Sequence, residues 1–308
     1  MKKKLLLMGQ SGAGKTSMRA IIFSNYGAAE TRRLGATMEI EHSSIPFIGD
    51  LHLNIWDCGG QRRFMNNYIT DQKEHLFKDA EVLIYVFDVE TRDQAAEFKY
   101  YEDCVKLLSQ FSPTAKVFCL IHKIDLIKQD SRKTSSVPNV LANYKKTLGP
   151  LSQHFTPVFY TTSIWSYTLY QAWSDIAYKL IPNITMIENQ LKQFRQLCGA
   201  SRVVMFEKST FLVVSHTQEH GKPNPEDDVF VRISETVKTY RQACSKIRAP
   251  LVAINIRNGP FSMFLEPFTE TTYVLVVMND PDVEAAVVKL NISSARIHFV
   301  NLADIQHT

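Results

Sequence analysis

The stretch Lys4-Leu5-Leu6-Leu7-Met8-Gly9-Gln10-Ser11-Gly12-Ala13-Gly14-Lys15-Thr16 decides how the chain is read. A short apolar run, strand-like in length, enters a glycine-rich loop, and a helical pattern continues to Tyr26. Gly9 to Thr16 fits G-x-x-x-x-G-K-[ST] in full, in the strand–loop–helix context the pattern requires. The chemistry follows from the residue types. Glycines let backbone N–H groups turn inward as a nest for phosphate oxygens, and the helix that follows adds the positive end of its dipole. Lys15 has the reach for β- and γ-phosphates, and the Thr16 hydroxyl is placed to ligate Mg²⁺. A glycine-rich turn with a stray lysine is the alternative, yet at average residue usage such a match arises about once per hundred chains of this length.

Outward from this loop, strand signals alternate with polar helical stretches. Residues 38–47 and 51–56 read as two strands joined at Gly49-Asp50. Residues 82–87, 116–121 and 158–160 are apolar throughout, as strands covered on both faces should be. The expected class is α/β, with a mostly parallel sheet and one antiparallel excursion. The polar segment 128–139 is expected to be a surface loop. Near Ile181-Pro182-Asn183 the rhythm changes. A helix over about 184–198 stops at Gly199, and strands at 202–206 and 210–216 follow. A polar loop (217–228), an amphipathic helix to about 247, strand-like runs at 251–256, 262–267 and 271–278, and two helical stretches ending near Ala303 complete the chain. Clustered strands flanked by helices predict a separate α+β domain, so residues 1–182 and 183–308 are expected to be the two domains.

Composition narrows the class. The 308 residues, 45% hydrophobic and 21% charged, suffice for about two domains with cores of their own and exclude disorder. A net charge of +4 assigns no partner, because nucleic-acid binders are usually more basic and more clustered; no nucleic-acid partner is expected. Cys58, Cys104, Cys119, Cys198 and Cys244 are scattered and never form C-x-x-C, which argues against a disulfide framework or a zinc site and fits a reducing cytoplasm. No apolar run approaches the ~20 residues that span a bilayer. The apolar start breaks at Gly9, too early for a signal peptide, and neither Lys2 nor the final residues carry a lipidation signal. No direct membrane insertion is expected.

Three further motifs follow strands, and a fourth signal precedes one. Asp57-Cys58-Gly59-Gly60-Gln61 follows the strand at 51–56: Asp57 can stand behind a magnesium shell, Gly60 can bring its N–H to a γ-phosphate, and Gln61 is the residue type that orients an attacking water. Cys58 reads as packing. His122-Lys123-Ile124-Asp125 follows the strand at 116–121. A carboxylate at Asp125 can accept both N1–H and N2–H₂ of guanine, which discriminates by ~10⁴ or more, and Lys123 can lay its stem along the base. Thr162-Ser163-Ile164 then offers a backbone N–H to the guanine O6. Thr37, between the first helix and the second strand, can complete a magnesium shell only while a γ-phosphate draws its loop inward.

In this order the motifs resemble those of Ras-like small GTPases. Arg32-Arg33-Leu34-Gly35-Ala36-Thr37, Trp56-Asp57-Cys58-Gly59-Gly60-Gln61, and His122 in place of the asparagine of N-K-x-D narrow the resemblance to the Rag GTPases, RagA/RagB (Gtr) subfamily. The resemblance implies a Ras-like domain followed by a roadblock (longin-like) module, GTP or GDP with Mg²⁺ as cofactors, and slow hydrolysis. Implied partners are a RagC/RagD-like subunit paired through the second domain, a Ragulator- or EGO-like membrane scaffold, the target-of-rapamycin kinase complex and a GTPase-activating complex. The implied location is the cytoplasmic face of the vacuole or lysosome, with cytoplasm and nucleus besides. The expected nucleotide contacts run through Ser11, Gly12, Ala13, Gly14, Lys15, Thr16 and Ser17, then Thr31, Thr37 and Gly60, then His122, Asp125 and Ile164. Thr16, Thr37 and Asp57 make the metal set, and Gln61, Lys15 and Thr37 the catalytic one. Gly12 leaves room for an arginine supplied by a partner, since Arg62 and Arg63 read as exposed switch residues. An activating protein is then expected to add roughly 10³ to 10⁵ in rate. A scaffold that binds GTP without cycling, an ATP-dependent P-loop enzyme and an assembly subunit with a vestigial site are the rival readings.

Overall fold

The computed structural model describes residues 1–129, 136–218, 228–249 and 251–304. Two compact units emerge, one of Met1–Ile45 with His52–Ala172 and one of Pro46–Leu51 with Trp173–Thr308. The first contains β1 (Lys2–Met8), α1 (Lys15–Phe23), a 3₁₀ turn (Ala28–Arg33), β2 (Ile40–Pro46), β3 (His52–Cys58), α2 (Arg62–Thr70), α3 (Lys73–Phe77) and β4 (Ala80–Asp88). It continues through α4 (Gln94–Phe111), β5 (Lys116–His122), α5 (Asp125–Gln129), α6 (Val137–Leu151) and β6 (Val158–Thr162); the division falls within α7 (Thr168–Tyr178).

The six strands lie in the order β2-β3-β1-β4-β5-β6. β1 runs parallel to β3 and β4, β4 to β5, and β5 to β6. Leu5, Leu6 and Leu7 on β1, Val82 to Phe87 on β4 and Val117 to Ile121 on β5 are buried along their whole length, the signature of strands covered on both faces. Tyr85 meets Tyr101 edge-on at 5.3 Å, and Phe87 packs 5.5 Å from Tyr144, so aromatic rings from β4, α4 and α6 close one side of the sheet. Parallel order has one consequence that matters most here. The carboxyl ends of β1, β3, β4, β5 and β6 lie along one edge, and the loops leaving them are the motif loops.

The expected α/β class is found, and some boundaries differ from the sequence reading. Residues 137–139 belong to α6 rather than to a loop: the Ser136 side chain accepts from Asn139 N and Pro138 sits in the first turn, where its missing N–H costs nothing. Residues 130–135 of that expected loop lie outside the described residues. The first helix stops at Phe23, short of Tyr26, because Asn25 adopts a left-handed φ of 58°.

The second unit contains α8 (Ile184–Cys198), β7 (Arg202–Glu207), β8 (Val213–Gln218), α9 (Asp228–Lys246), β9 (Ile254–Asn258), β10 (Phe261–Pro267), β11 (Thr272–Met278) and α10 (Ala285–Asp304). Its strands form an antiparallel sheet in the order β8-β7-β11-β10-β9, the α+β arrangement expected of a roadblock-like domain. Val204, Phe206, Phe211, Val237, Leu265 and Leu275 fill its core. α8 ends as expected at Gly199, whose φ of 63° suits glycine and whose N–H caps the last turn. β8 starts three residues later than the reading of 210–216. Glu207 folds the intervening turn by accepting from Ser209 N and Oγ and from Thr210 N and Oγ1. The final segment is one helix rather than two, since no glycine or proline interrupts residues 285–304. Among the described residues, no helix is long and apolar enough to cross a membrane.

Candidate functional site

The loop after β1 owes its shape to glycine. Gly9, Gly12 and Gly14 have φ of 137°, 84° and 95°, and a Cβ on Gly9 would lie 2.3 Å from the Val86 carbonyl oxygen. Gly14 passes α1 into the helix without a side-chain cap, leaving the first-turn N–H groups directed at the loop's concavity. Lys15 turns back under the loop: its Nζ donates to the Gly9 and Gln10 carbonyls at 2.7 and 2.9 Å. Burial lowers its pKa to about 8, against the opposing pull of Asp57. A buried cation held only by carbonyls is a preformed counter-charge for an anion. Ser11, Gly12, Gly14, Thr16 and Ser17 line a cavity of about 270 Å³ with Lys15, and Leu34 to Thr37 and Gly60 complete its wall. Ala13 is buried beneath it.

Of the three side chains expected to hold a metal, Thr16 and Thr37 line the cavity and meet there, and Asp57 does not line it. Thr16 Oγ1 and Thr37 Oγ1 are 2.6 Å apart, although 21 residues separate them in sequence. Asp57, at the end of β3, is fully buried; its Oδ1 has no hydrogen-bond partner, while Oδ2 accepts from Arg19 Nε at 3.1 Å. Two hydroxyls and a carboxylate with a spare buried lone pair are hard donors, the set Mg²⁺ takes when phosphates and waters supply the rest. The residues present fit the ion.

The segments beside this cavity interlock. A Cβ on Gly60 would fall 2.3 Å from Gln10 C and Ser11 N, and the Gly60 carbonyl accepts from Ser11 N at 2.9 Å, so this peptide lies directly on the phosphate loop. Glu39, with a left-handed φ of 59°, offers its carbonyl to both Gly59 N and the Tyr68 hydroxyl. Gln61 stands at the N-cap of α2 with its carbonyl bound to Phe64 N and Met65 N, and it is not among the residues lining the cavity. Thr31 is also elsewhere: it is buried and its hydroxyl donates to the Ala28 carbonyl. Arg62 pairs with Asp93, and Arg63 lies over the Phe64 ring, so neither reaches the cavity floor. Cys58 is buried and its thiol is pushed well up by burial, in keeping with packing.

At the other end, His122 is buried under the phosphate loop. Its Nδ1 meets Thr162 Oγ1 at 3.0 Å, and a Cβ on Gly14 would come within 2.9 Å of its ring. Burial lowers its pKa to about 4, so it is neutral at physiological pH. Lys123 is anchored through Nζ to Asp88 Oδ2 at 2.6 Å. Asp125 Oδ1 accepts from Ser163 Oγ, and that hydroxyl also accepts from Trp165 N, so the carboxylate and the Ile164 peptide share one support. Arg32 stands 5.8 Å above the exposed Trp165 ring, a cation–π contact from the 3₁₀ turn to this loop.

Sequence reasoning missed Asp88, Thr162 as the partner of His122, and Arg19. Arg19 follows Lys15 by one helical turn, the spacing that places two side chains on one face, and that was the available signal.

The family model described as "Gtr1/RagA G protein conserved region" matches residues 4–237. The chain is 46% identical over 299 residues to "Ras-related GTP-binding protein A" of Dictyostelium discoideum, covering 97% of both. It is 47% identical over 296 residues to "GTP-binding protein gtr1" of Schizosaccharomyces pombe, covering 96% of this chain and 94% of that one. "Ras-related GTP-binding protein C" of Homo sapiens is more distant, 28% identical over 208 residues, 67% of this chain and 51% of that one. A match that begins in β1 and reaches α9, with A-type relatives aligned nearly end to end, places the chain in the Gtr1/RagA family of G proteins, on its RagA/B side.

Proposed function

We propose that the chain is a GTP-hydrolysing switch and the RagA/B-like half of a heterodimer that signals amino-acid sufficiency. The observation that carries the switch is the meeting of Thr37 and Gly60 with the phosphate loop around one cavity. Two loops distant in sequence converge where the last phosphate of a nucleotide would lie. Bound Mg²⁺, held by the Thr16 and Thr37 hydroxyls with Asp57 behind, would neutralise charge on phosphate oxygens. Lys15 and the inward N–H groups hold the phosphate chain, and Asp125 with the Ile164 N–H reads the guanine edge. Gln61, next to the cavity-lining Gly60, aligns the attacking water, and turnover stays slow until an activating protein acts. His122 acts as a neutral strut that joins the end of β5 to the end of β6 beneath Gly14.

The second unit's sheet and the existence of C-type relatives support pairing with a RagC/RagD-like subunit. Docking on a Ragulator/EGO-like scaffold at the vacuolar or lysosomal surface, recruitment of the target-of-rapamycin kinase complex and control by a GTPase-activating complex complete the proposal. The test is nucleotide analysis of the chain co-purified with a RagC-like partner. Guanine nucleotide retained, GTP hydrolysed slowly and ATP excluded are the expected results. A complex that retains no guanine nucleotide, or never hydrolyses GTP with an activating complex present, would favour the scaffold reading.

A further inference from the structure

Arg19 has no task in the reaction just described, yet its hydrogen bonds join the two things that reaction must keep in register. It lies on α1, one turn beyond Lys15, and all three guanidinium nitrogens are engaged. Nε donates to Asp57 Oδ2 at 3.1 Å, Nη1 to Ser43 Oγ at 3.0 Å, and Nη2 to Glu41 Oε2 in a short ion pair. Asp57 is the carboxylate of the proposed metal set. Glu41 and Ser43 are two residues apart on β2 and so face the same side of the strand. β2 is an edge strand with β3 as its one sheet neighbour, and it begins three residues after Thr37. A strand held along one edge resists displacement less than a central one. The guanidinium fork fixes direction as well as distance, which a lysine's point charge cannot do.

We propose that Arg19 is a positioning residue that latches β2 to the metal-site carboxylate, so that the place of Thr37 and the orientation of Asp57 are set together. The inference rests on the switch reading above. With Oδ2 tied to Arg19, rotation of the Asp57 carboxylate is restrained, and the buried Oδ1, without a hydrogen-bond partner among the described residues, is the oxygen left to stand behind a bound ion. When the loop carrying Thr37 withdraws, β2 can follow only by breaking charge-assisted hydrogen bonds to Glu41 and Ser43, or by pulling Asp57 through the guanidinium. Magnesium affinity and the position of β2 are thereby coupled, and the coupling acts in both directions.

Dissociation of a fluorescent guanine nucleotide from the full chain, measured across buffered free Mg²⁺, tests the latch, with hydrogen exchange of residues 38–46 read on the same samples. Arg19→Gln and Arg19→Lys should each raise, by about fivefold or more, the free Mg²⁺ at which release becomes fast. The double variant Glu41→Gln/Ser43→Ala leaves Asp57 and both threonines intact on a partly exposed edge, so it guards against a core variant that fails to fold. It should shift the Mg²⁺ dependence in the same direction and speed exchange over 38–46. The latch is overturned if the double variant matches wild type in both readouts, or if Arg19→Lys does. Wild-type protein without Mg²⁺-dependent retention overturns the switch reading and the latch with it; wild-type protein that has it beside unchanged variants overturns the latch alone.

Discussion

A histidine at position 122 changes what pH can do to this molecule. His122 is buried and its pKa is lowered to about 4 by burial, against an unfolded value near 6.5. Between those values the unfolded chain takes up a proton that the folded chain refuses. Stability from this residue is therefore full above pH 6.5 and declines as pH falls toward 4, by on the order of 3 kcal/mol. Urea midpoints at pH 7 and pH 5 measure the slope, and His122→Asn should flatten it. The phosphate end supports a second pair of expectations at the same scale. Thr16→Asn removes a hydroxyl that meets Thr37 at 2.6 Å and should leave a protein that loads GTP poorly; normal loading would dissociate Thr16 from the ion. Gln61→Leu should load GTP yet resist stimulated hydrolysis, and phosphate release at the wild-type rate would remove Gln61 from the reaction.

Elements were legible wherever their signals were local. The phosphate loop, the helix ended by Gly199 and the apolar central strands all stand where the sequence places them, because each depends on neighbours in the chain. Misreadings came from residues with two meanings. Residues 137–139 look like the end of a polar loop and in fact open α6, and Thr210 looks like strand and is consumed by the turn that Glu207 builds. That turn makes its own prediction. The Glu207 carboxylate is buried and accepts from four donors on Ser209 and Thr210, so Glu207→Ala orphans the buried Thr210 N–H and hydroxyl at a cost of about 3 kcal/mol. The melting transition of the second unit should fall by several degrees while guanine nucleotide retention holds; an unchanged melt would mean the turn forms without the carboxylate.

At the scale of the molecule, four loops spread over more than a hundred residues converge because parallel strands bring their carboxyl ends to one edge. The motif residues could be recognised one by one, but their supports could not. Arg19 beneath Asp57, Asp88 beside Lys123 and Thr162 against His122 exist only once β2, β3, β4 and β6 are in place. The most direct test of the whole is hydrogen exchange of the intact chain loaded with GDP and then with a non-hydrolysable GTP analogue. A switch predicts protection gained in the triphosphate state over residues 27–43 and 58–76, with the central strands unchanged. Indistinguishable exchange in the two states would contradict it.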